Sequence, residues 1–224
     1  LILLASLFFF QIKKQQSEYH KNELQVWASM KEGITYIYRT KEILGALCLD
    51  MFAVLFGGAV AMIPVYASDI LKVGADGFGL LNAASDIGSM MIIVTLSFIP
   101  LRKNQGKILI GVVAGFGLCI IGFGLSKLYW LSFLFLMLSG IFDGISVVIR
   151  GTIVQLKTPD HIRGRVMSAN SIFIMSSNEM GQFESGVAAK LLGVVRSVVF
   201  GGTMTVLIAL FVGKFVPKLR KMEY

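Results

Sequence analysis

Thr158-Pro159-Asp160-His161-Ile162-Arg163-Gly164-Arg165-Val166 is a short basic hinge, and the run that it launches, 167–186, decides the fold. That run sits in a largely apolar segment, 166–189, of about 24 residues, which as a helix is long enough to cross a hydrocarbon core of ~30 Å. It nevertheless carries Asn170, Asn178, Glu179, Gln182 and Glu184. Carboxylates and amides inside a bilayer are costly, so they face a protein interior or a water-filled pathway. The reading is a membrane-embedded chain that moves something.

Working outward, the composition agrees. The 224 residues are 55% hydrophobic and 15% charged, with mean hydropathy +0.76, too apolar for an ordinary soluble domain. Cys48 and Cys119 both fall in apolar runs and form no pair spacing, so they read as small core residues. His20 and His161 lie in loops far apart in sequence, which leaves no basis for a metal centre; no cofactor is expected either. The chain has no Gly-x-Ser-x-Gly, His-Glu-x-x-His or Walker loop, and no paired aspartate motifs of an intramembrane aspartyl enzyme. It does not read as an enzyme.

In chain order, residues 1–12 are apolar but too short to span. Lys13 and Lys14 follow the run, where a signal peptide would have charges before it. The expectation is the end of a preceding transmembrane helix, truncated here. Residues 13–43 form a basic cytoplasmic linker. Leu24, Trp27, Ile34, Ile37 and Tyr38 recur in it near helical spacing, as in an amphipathic helix on the membrane surface. Residues 44–217 are an all-α bundle of six spanning candidates, near 44–67, 78–100, 107–126, 128–149, 166–189 and 194–216. Residues 218–224 are a cytoplasmic tail. The connections are short, so neighbouring spans run antiparallel.

Charge tests this layout. With the first loop in the cytoplasm, 17 of the 21 Lys and Arg fall inside, and only Lys72, Lys127, Lys190 and Arg196 fall outside. The +8 charge is therefore topology and lipid electrostatics, and no nucleic-acid partner is expected. Small residues recur where helices would touch: Gly111 with Gly115, Gly140 with Gly144, and Ser177, Gly181, Ser185 and Ala189 at four-residue steps. Pro64 should loosen the first span near its outer end.

Five carboxylates lie within the spans: Asp50, Asp86, Asp143, Glu179 and Glu184. Glu179 and Asp86 come near the middle, and a carboxyl held there without a partner can carry a proton at neutral pH. Glu179 is the first candidate for proton coupling or cation binding and Asp86 the second, with Glu184, Asn178 and Gln182 beside them. The plainer alternative is a buried acid hydrogen-bonded to such amides for packing alone. Asp143 and Arg150 share a helix face, but at seven residues' spacing they lie about 10 Å apart along the axis. A direct bridge is not expected: each should pair with a neighbouring helix, or Arg150 should snorkel to the lipid surface. Asp50, Asp143 and Arg150 are candidates for a cytoplasmic gate, as are Arg163, Gly164 and Arg165 of the hinge, where the glycine would permit a sharp turn.

The six-helix layout, the surface helix before it and the run from Pro159 to Val166 resemble the C-terminal half of a major facilitator superfamily transporter. The bacterial branch that includes the enterobactin exporter is the nearest in pattern. Leu49-Asp50-Met51-Phe52-Ala53-Val54-Leu55-Phe56-Gly57-Gly58-Ala59-Val60, Asp143-Gly144-Ile145-Ser146-Val147-Val148-Ile149-Arg150 and Ser177-Asn178-Glu179-Met180-Gly181-Gln182-Phe183-Glu184-Ser185-Gly186 look like segments of the same branch. The superfamily's acidic-glycine-basic loop motif recurs weakly, without its acidic residue, as Arg102-Lys103-Asn104-Gln105-Gly106-Lys107. The resemblance implies helices seven to twelve of a twelve-helix protein, with a six-helix N-terminal half as partner and the substrate site between the halves. It implies a secondary active transporter, proton-coupled and exporting a small molecule, in a bacterial inner membrane with the C-terminus cytoplasmic. A solute importer of the same fold, and a non-transporting scaffold or degenerate half-transporter, are the alternatives. A pure scaffold has no reason to keep the carboxylates.

Overall fold

The computed structural model describes residues 23–99, 101, 103–216 and 220. The expected end of a preceding helix, 1–12, lies outside these residues, as does nearly all of the tail, 218–224. Among the described residues the chain is helical without strands. The helices are α1 (Glu23–Arg39), α2 (Lys41–Phe56), α3 (Ala75–Phe98), α4 (Gln105–Leu125), α5 (Tyr129–Lys157), α6 (Arg163–Leu192) and α7 (Val194–Phe215). Among the described residues, five stretches are long and apolar enough to cross a membrane: Lys41–Ile70, Ala75–Phe98, Gln105–Leu125, Tyr129–Lys157 and Val194–Phe215. Helix α6 has the length, at 30 residues, but its amides, carboxylates and basic ends keep it out of that set.

Two apolar clusters, one at each end of the bundle, fix the antiparallel order. One gathers Leu47 and Leu49 near the start of α2, Leu109 at the start of α4, Ile149 and Ile153 towards the end of α5, and Val166 at the start of α6. The other gathers Tyr66, Leu81, Ile120, Phe123, Leu136 and Val198, from the opposite ends of the same helices and their neighbours. Helix α4 packs on α5 and α7, α5 on α3, and α2 on α6 and α7. The outward surface is apolar at Met90, Phe98, Leu118, Trp130, Leu207 and Phe211, as a lipid-facing bundle requires.

Glycine sets the spacing between the clusters, because without a driving force between helices in lipid, close approach is what holds them. A β-carbon on Gly201 would sit 2.0 Å from the Phe56 carbonyl oxygen, and one on Gly117 would sit 2.8 Å from that of Gly202. Gly140 lies as close to Ser85, and Gly144 against Ser89 and Ile92, as the spacing predicts. Gly115 faces the Phe142 ring, but Gly111 meets nothing and is exposed, so that half of the expected pair makes no helix contact.

Three features differ from the sequence reading. The first span breaks at Gly57-Gly58 and continues as a 3-10 turn Ala59–Met62, a single α turn Ile63–Val65 around Pro64, and a π turn Tyr66–Ile70. The irregularity is wider than Pro64 alone produces, because two adjacent poor helix formers precede it. Helix α5 runs to Lys157, two turns beyond the expected end at 149, with Ile153 and Val154 buried. It stops at Thr158, whose position before Pro159 disfavours helix. Finally, α1 is helical as expected, but its buried face is Gly33 and Ile37, laid on the start of α6. Trp27 and Tyr38 lie off that face and are exposed.

Candidate functional site

Helix α6 has two faces with different chemistry. Ser177, Gly181 and Ser185 are buried, and Gly181 approaches so closely that a β-carbon there would lie 2.7 Å from the Val54 carbonyl oxygen of α2. Gly58, at the break in the first span, meets Gly181 and Ser185 in turn. That contact fixes the rotation of α6 and leaves Asn178, Glu179 and Gln182 exposed together, at three- and four-residue steps with Met175 and Gly186. The sequence reading placed Glu179 near the middle of its span, facing a protein interior or a water-filled pathway; on the surface of this chain it is open. The reason is local: the small residues claim the buried face, so the large polar ones turn out.

Glu184 does not join them. Five residues on from Glu179, it is turned about 140° around the helix, half-exposed among Met180, Phe183, Val187 and Leu191. Asp86 is exposed on α3, which packs on α5, so the fold does not bring it into one cluster with Glu179. Among the described residues none of these three carboxylates has an ion-pair partner.

A second constellation joins α2 to α5. Arg150, 6% exposed, donates through Nη1 to Asp50 Oδ2, and Asp50 is 5% exposed. Arg150 Nε donates to Ser146 Oγ at 3.2 Å, one turn earlier on the same helix. Its Nη2 lies 3.9 Å from Asp143 Oδ1. The expected pairing with a neighbouring helix is thus present, and Arg150 does not snorkel. The expectation that Asp143 lies beyond its reach is corrected. Helical side chains lean towards the N-terminus, so a long guanidinium stem recovers most of the axial separation. Removing one partner from such a buried pair costs about 3–5 kcal/mol, because the other charge is left uncompensated.

The hinge is built differently from the sequence reading. Gly164 has ordinary helical geometry in the first turn of α6 with open space around it, so it makes no sharp turn. The turn is made by Thr158-Pro159 and the 3-10 turn Asp160–Ile162. Arg163 pairs with Asp160 three residues back, and Arg165 pairs with Glu32 of α1. Beside that pair a β-carbon on Gly33 would lie 2.5 Å from the Arg165 carbonyl oxygen. The hinge arginines therefore line the start of α6, and the Gly33 approach is what seats it on α1.

Ser146 and Glu32 were not singled out by sequence. Ser146 carries a signal, its i, i+4 spacing to Arg150; Glu32 carries none, since its partner is 133 residues away. In the loop before α4, Asn104 takes a left-handed conformation and Gln105 Nε2 donates to the Leu101 carbonyl oxygen at 2.7 Å.

No curated protein and no solved structure matches the chain. The family described as transmembrane secretion effector, of the major facilitator type, matches residues 1–224. The chain belongs to this family of membrane transporters.

Proposed function

We propose that the chain forms six spans, the sixth being α6, and is the C-terminal half of a proton-coupled secondary transporter that exports a small molecule. The observation that carries this is the exposed stripe Asn178, Glu179 and Gln182 on a 30-residue helix whose opposite face is sealed to α2. A carboxylate and two amides facing lipid would be costly. Covered by a six-helix N-terminal half, the same stripe becomes one wall of a polar path, with Asp86 on α3 as a second polar position. Glu179 is the group that a proton or a cationic substrate neutralises in turn.

The charge distribution supports a cytoplasmic C-terminus, and the resemblance to a bacterial branch is the ground for a bacterial inner membrane. Asp50, Asp143 and Arg150 tie α2 to α5 towards the inner end, and Arg163 and Arg165 hold the start of α6, as parts of a cytoplasmic gate. Gly164 contributes only its small size.

The test is solute accumulation by inverted vesicles containing the full-length protein under an imposed pH gradient. Glu179→Gln is expected to abolish uphill accumulation and to spare downhill exchange, while Glu184→Gln does less. Uphill transport by Glu179→Gln equal to the parent would make Glu179 a structural acid.

A further inference from the structure

Where α1 meets α2, the bundle leaves a half-open apolar crevice of about 140 Å³. Its walls are Tyr38 of α1, Leu44, Leu47, Cys48 and Met51 of α2, and Phe173 of α6. A dry apolar space of about 150 Å³ accepts a small hydrocarbon and holds no water. Met51 lies ten residues beyond Lys41, so the α2 wall rises about 15 Å along the helix. That is half of a hydrocarbon core of ~30 Å, the depth of one leaflet. Phe173 shares a face of α6 with Met180, Val187 and Leu191, and with the half-exposed Glu184. Asn178, Glu179 and Gln182 centre on the opposite side of the helix. A second half that covers this polar stripe leaves the crevice side to lipid.

The mouth of the crevice is basic. Arg39 ends α1 and Lys41 starts α2, with Thr40 extended between them. Both are exposed, and neither has an ion-pair partner among the described residues. Lys31 stands seven residues before Tyr38, on the same face of α1. Of the neighbouring acids, Glu32 is paired with Arg165, and Glu42, half-buried, leaves the junction net positive. No side chain caps the start of α2, so its free N–H groups add to the attraction for an anion.

We propose that this crevice binds an anionic phospholipid of the cytoplasmic leaflet, with one acyl chain laid against α2 and α6 and the phosphate held by Arg39 and Lys41. Tyr38 suits the boundary between the two parts. Its ring lines the crevice, and its hydroxyl, without a hydrogen-bond partner among the described residues, points the polar end of the side chain to the headgroup level. The lipid then joins α1 to the bundle at the junction where α2 enters the bilayer. The site goes beyond the transport reading, because it fills whether or not a solute moves.

The test is quenching of a single tryptophan, Phe173→Trp, in the full-length protein with its other tryptophans replaced by phenylalanine. The protein is placed in phosphatidylcholine vesicles that contain phosphatidylglycerol or phosphatidylcholine brominated along the acyl chains. Half-maximal quenching is expected at a mole fraction about 25-fold lower for brominated phosphatidylglycerol, since each basic residue at an anionic surface is worth about fivefold. Arg39→Gln with Lys41→Gln, both at exposed positions, should abolish the preference. Lys103→Gln with Lys107→Gln removes equal charge from another exposed loop and should keep it. Equal quenching by the two lipids overturns the proposal. So does a preference that the Lys103 and Lys107 changes remove as fully, which is general surface attraction. Quenching by neither lipid shows that protein covers the crevice and also overturns it. Should Phe173→Trp fail to fold, Met51→Trp on the facing wall carries the same measurement. Vesicles that move no solute while the preference holds would count against the transport reading and leave this site intact.

Discussion

Gly140→Ala is expected to separate α3 from α5. The added β-carbon would sit 2.0 Å from the Ser85 carbonyl oxygen, 2.7 Å from its carbon and 2.8 Å from its Cα. All three are main-chain atoms, so no side-chain rotation relieves the clash. Carbon and oxygen meet comfortably at about 3.3 Å, so the helices must part by roughly 1.3 Å at this level. A gap of that size forfeits about half of the local dispersion energy. It also strains the Ser89 Oγ bond to the Gly140 carbonyl oxygen, now 2.8 Å. One turn away it opens the Gly88 contact, where a β-carbon would lie 2.0 Å from the Met137 carbonyl oxygen. Overpacking costs about 1–3 kcal/mol, the strained hydrogen bond about 0.6, and alanine returns up to about 1 in helix propensity. The net loss is about 2 kcal/mol, roughly a 30-fold fall in the folding constant. Gly111→Ala is the control: it meets open space and should be neutral or stabilising by up to about 1 kcal/mol. Reversible unfolding in detergent micelles, followed by circular dichroism, compares the two. Equal stability of both variants would refute the inference that main-chain contact sets the α3–α5 distance.

Three further outcomes follow from the geometry, besides the Glu179 result already given. In a variant with Cys48 and Cys119 replaced, cysteines at the exposed positions Asp76 and Lys127 should react with an impermeant thiol reagent from outside, and those at Asn104 and Asp160 should not. Labelling of Asn104 from outside would invert the topology. Gly33→Ala, placed 2.5 Å from the Arg165 carbonyl oxygen, should release α1 and expose it to protease, whereas Gly164→Ala, in open space, should leave digestion unchanged. Tyr66→Phe removes a buried donor to the Gly124 carbonyl oxygen at 2.8 Å and should lower unfolding stability by about 1 kcal/mol; an unchanged midpoint would mean the bond contributes nothing net.

Apolar runs made the helices legible, because a segment that must cross lipid advertises its length directly. They did not reveal where a helix bends inside a run. Gly57-Gly58 reads as two more glycines among many, and only the approach of Gly181 and Gly201 distinguishes it. The four-residue step of Ser177, Gly181 and Ser185 was legible as a packing face. Its corollary, that Glu179 must then turn outward, follows by subtraction from the helix period. The α2–α5 ion pair was half legible: a buried arginine needs an acid, but which helix supplies it depends on the tertiary order. Side-chain reach was the remaining gap, since residue spacing measures the axis and not the length of Arg150. The Glu32–Arg165 pair is exposed, at 47% and 43% of the side chains, and pairs of that kind leave no trace in sequence because they contribute little to stability.

The polarity that keeps α6 outside the apolar set also bears on how the chain is made. A translocon releases a segment into lipid according to its own hydropathy, and a charged residue at the centre of a helix opposes release by about 2.5–3.5 kcal/mol. In the six-span arrangement, α6 emerges after α5 and before the apolar α7, with Glu179 near its middle. Its seat, the Gly57-Gly58 break and the end of α2, was synthesised more than a hundred residues earlier. If α6 is the sixth span proposed above, its release would wait for α2 to be present and correctly turned, so that Gly181 and Ser185 dock as the segment leaves. The glycine contact is in this sense a receptor for a late helix, and an error in α2 would surface during biogenesis as a failure of α6 to enter the bilayer.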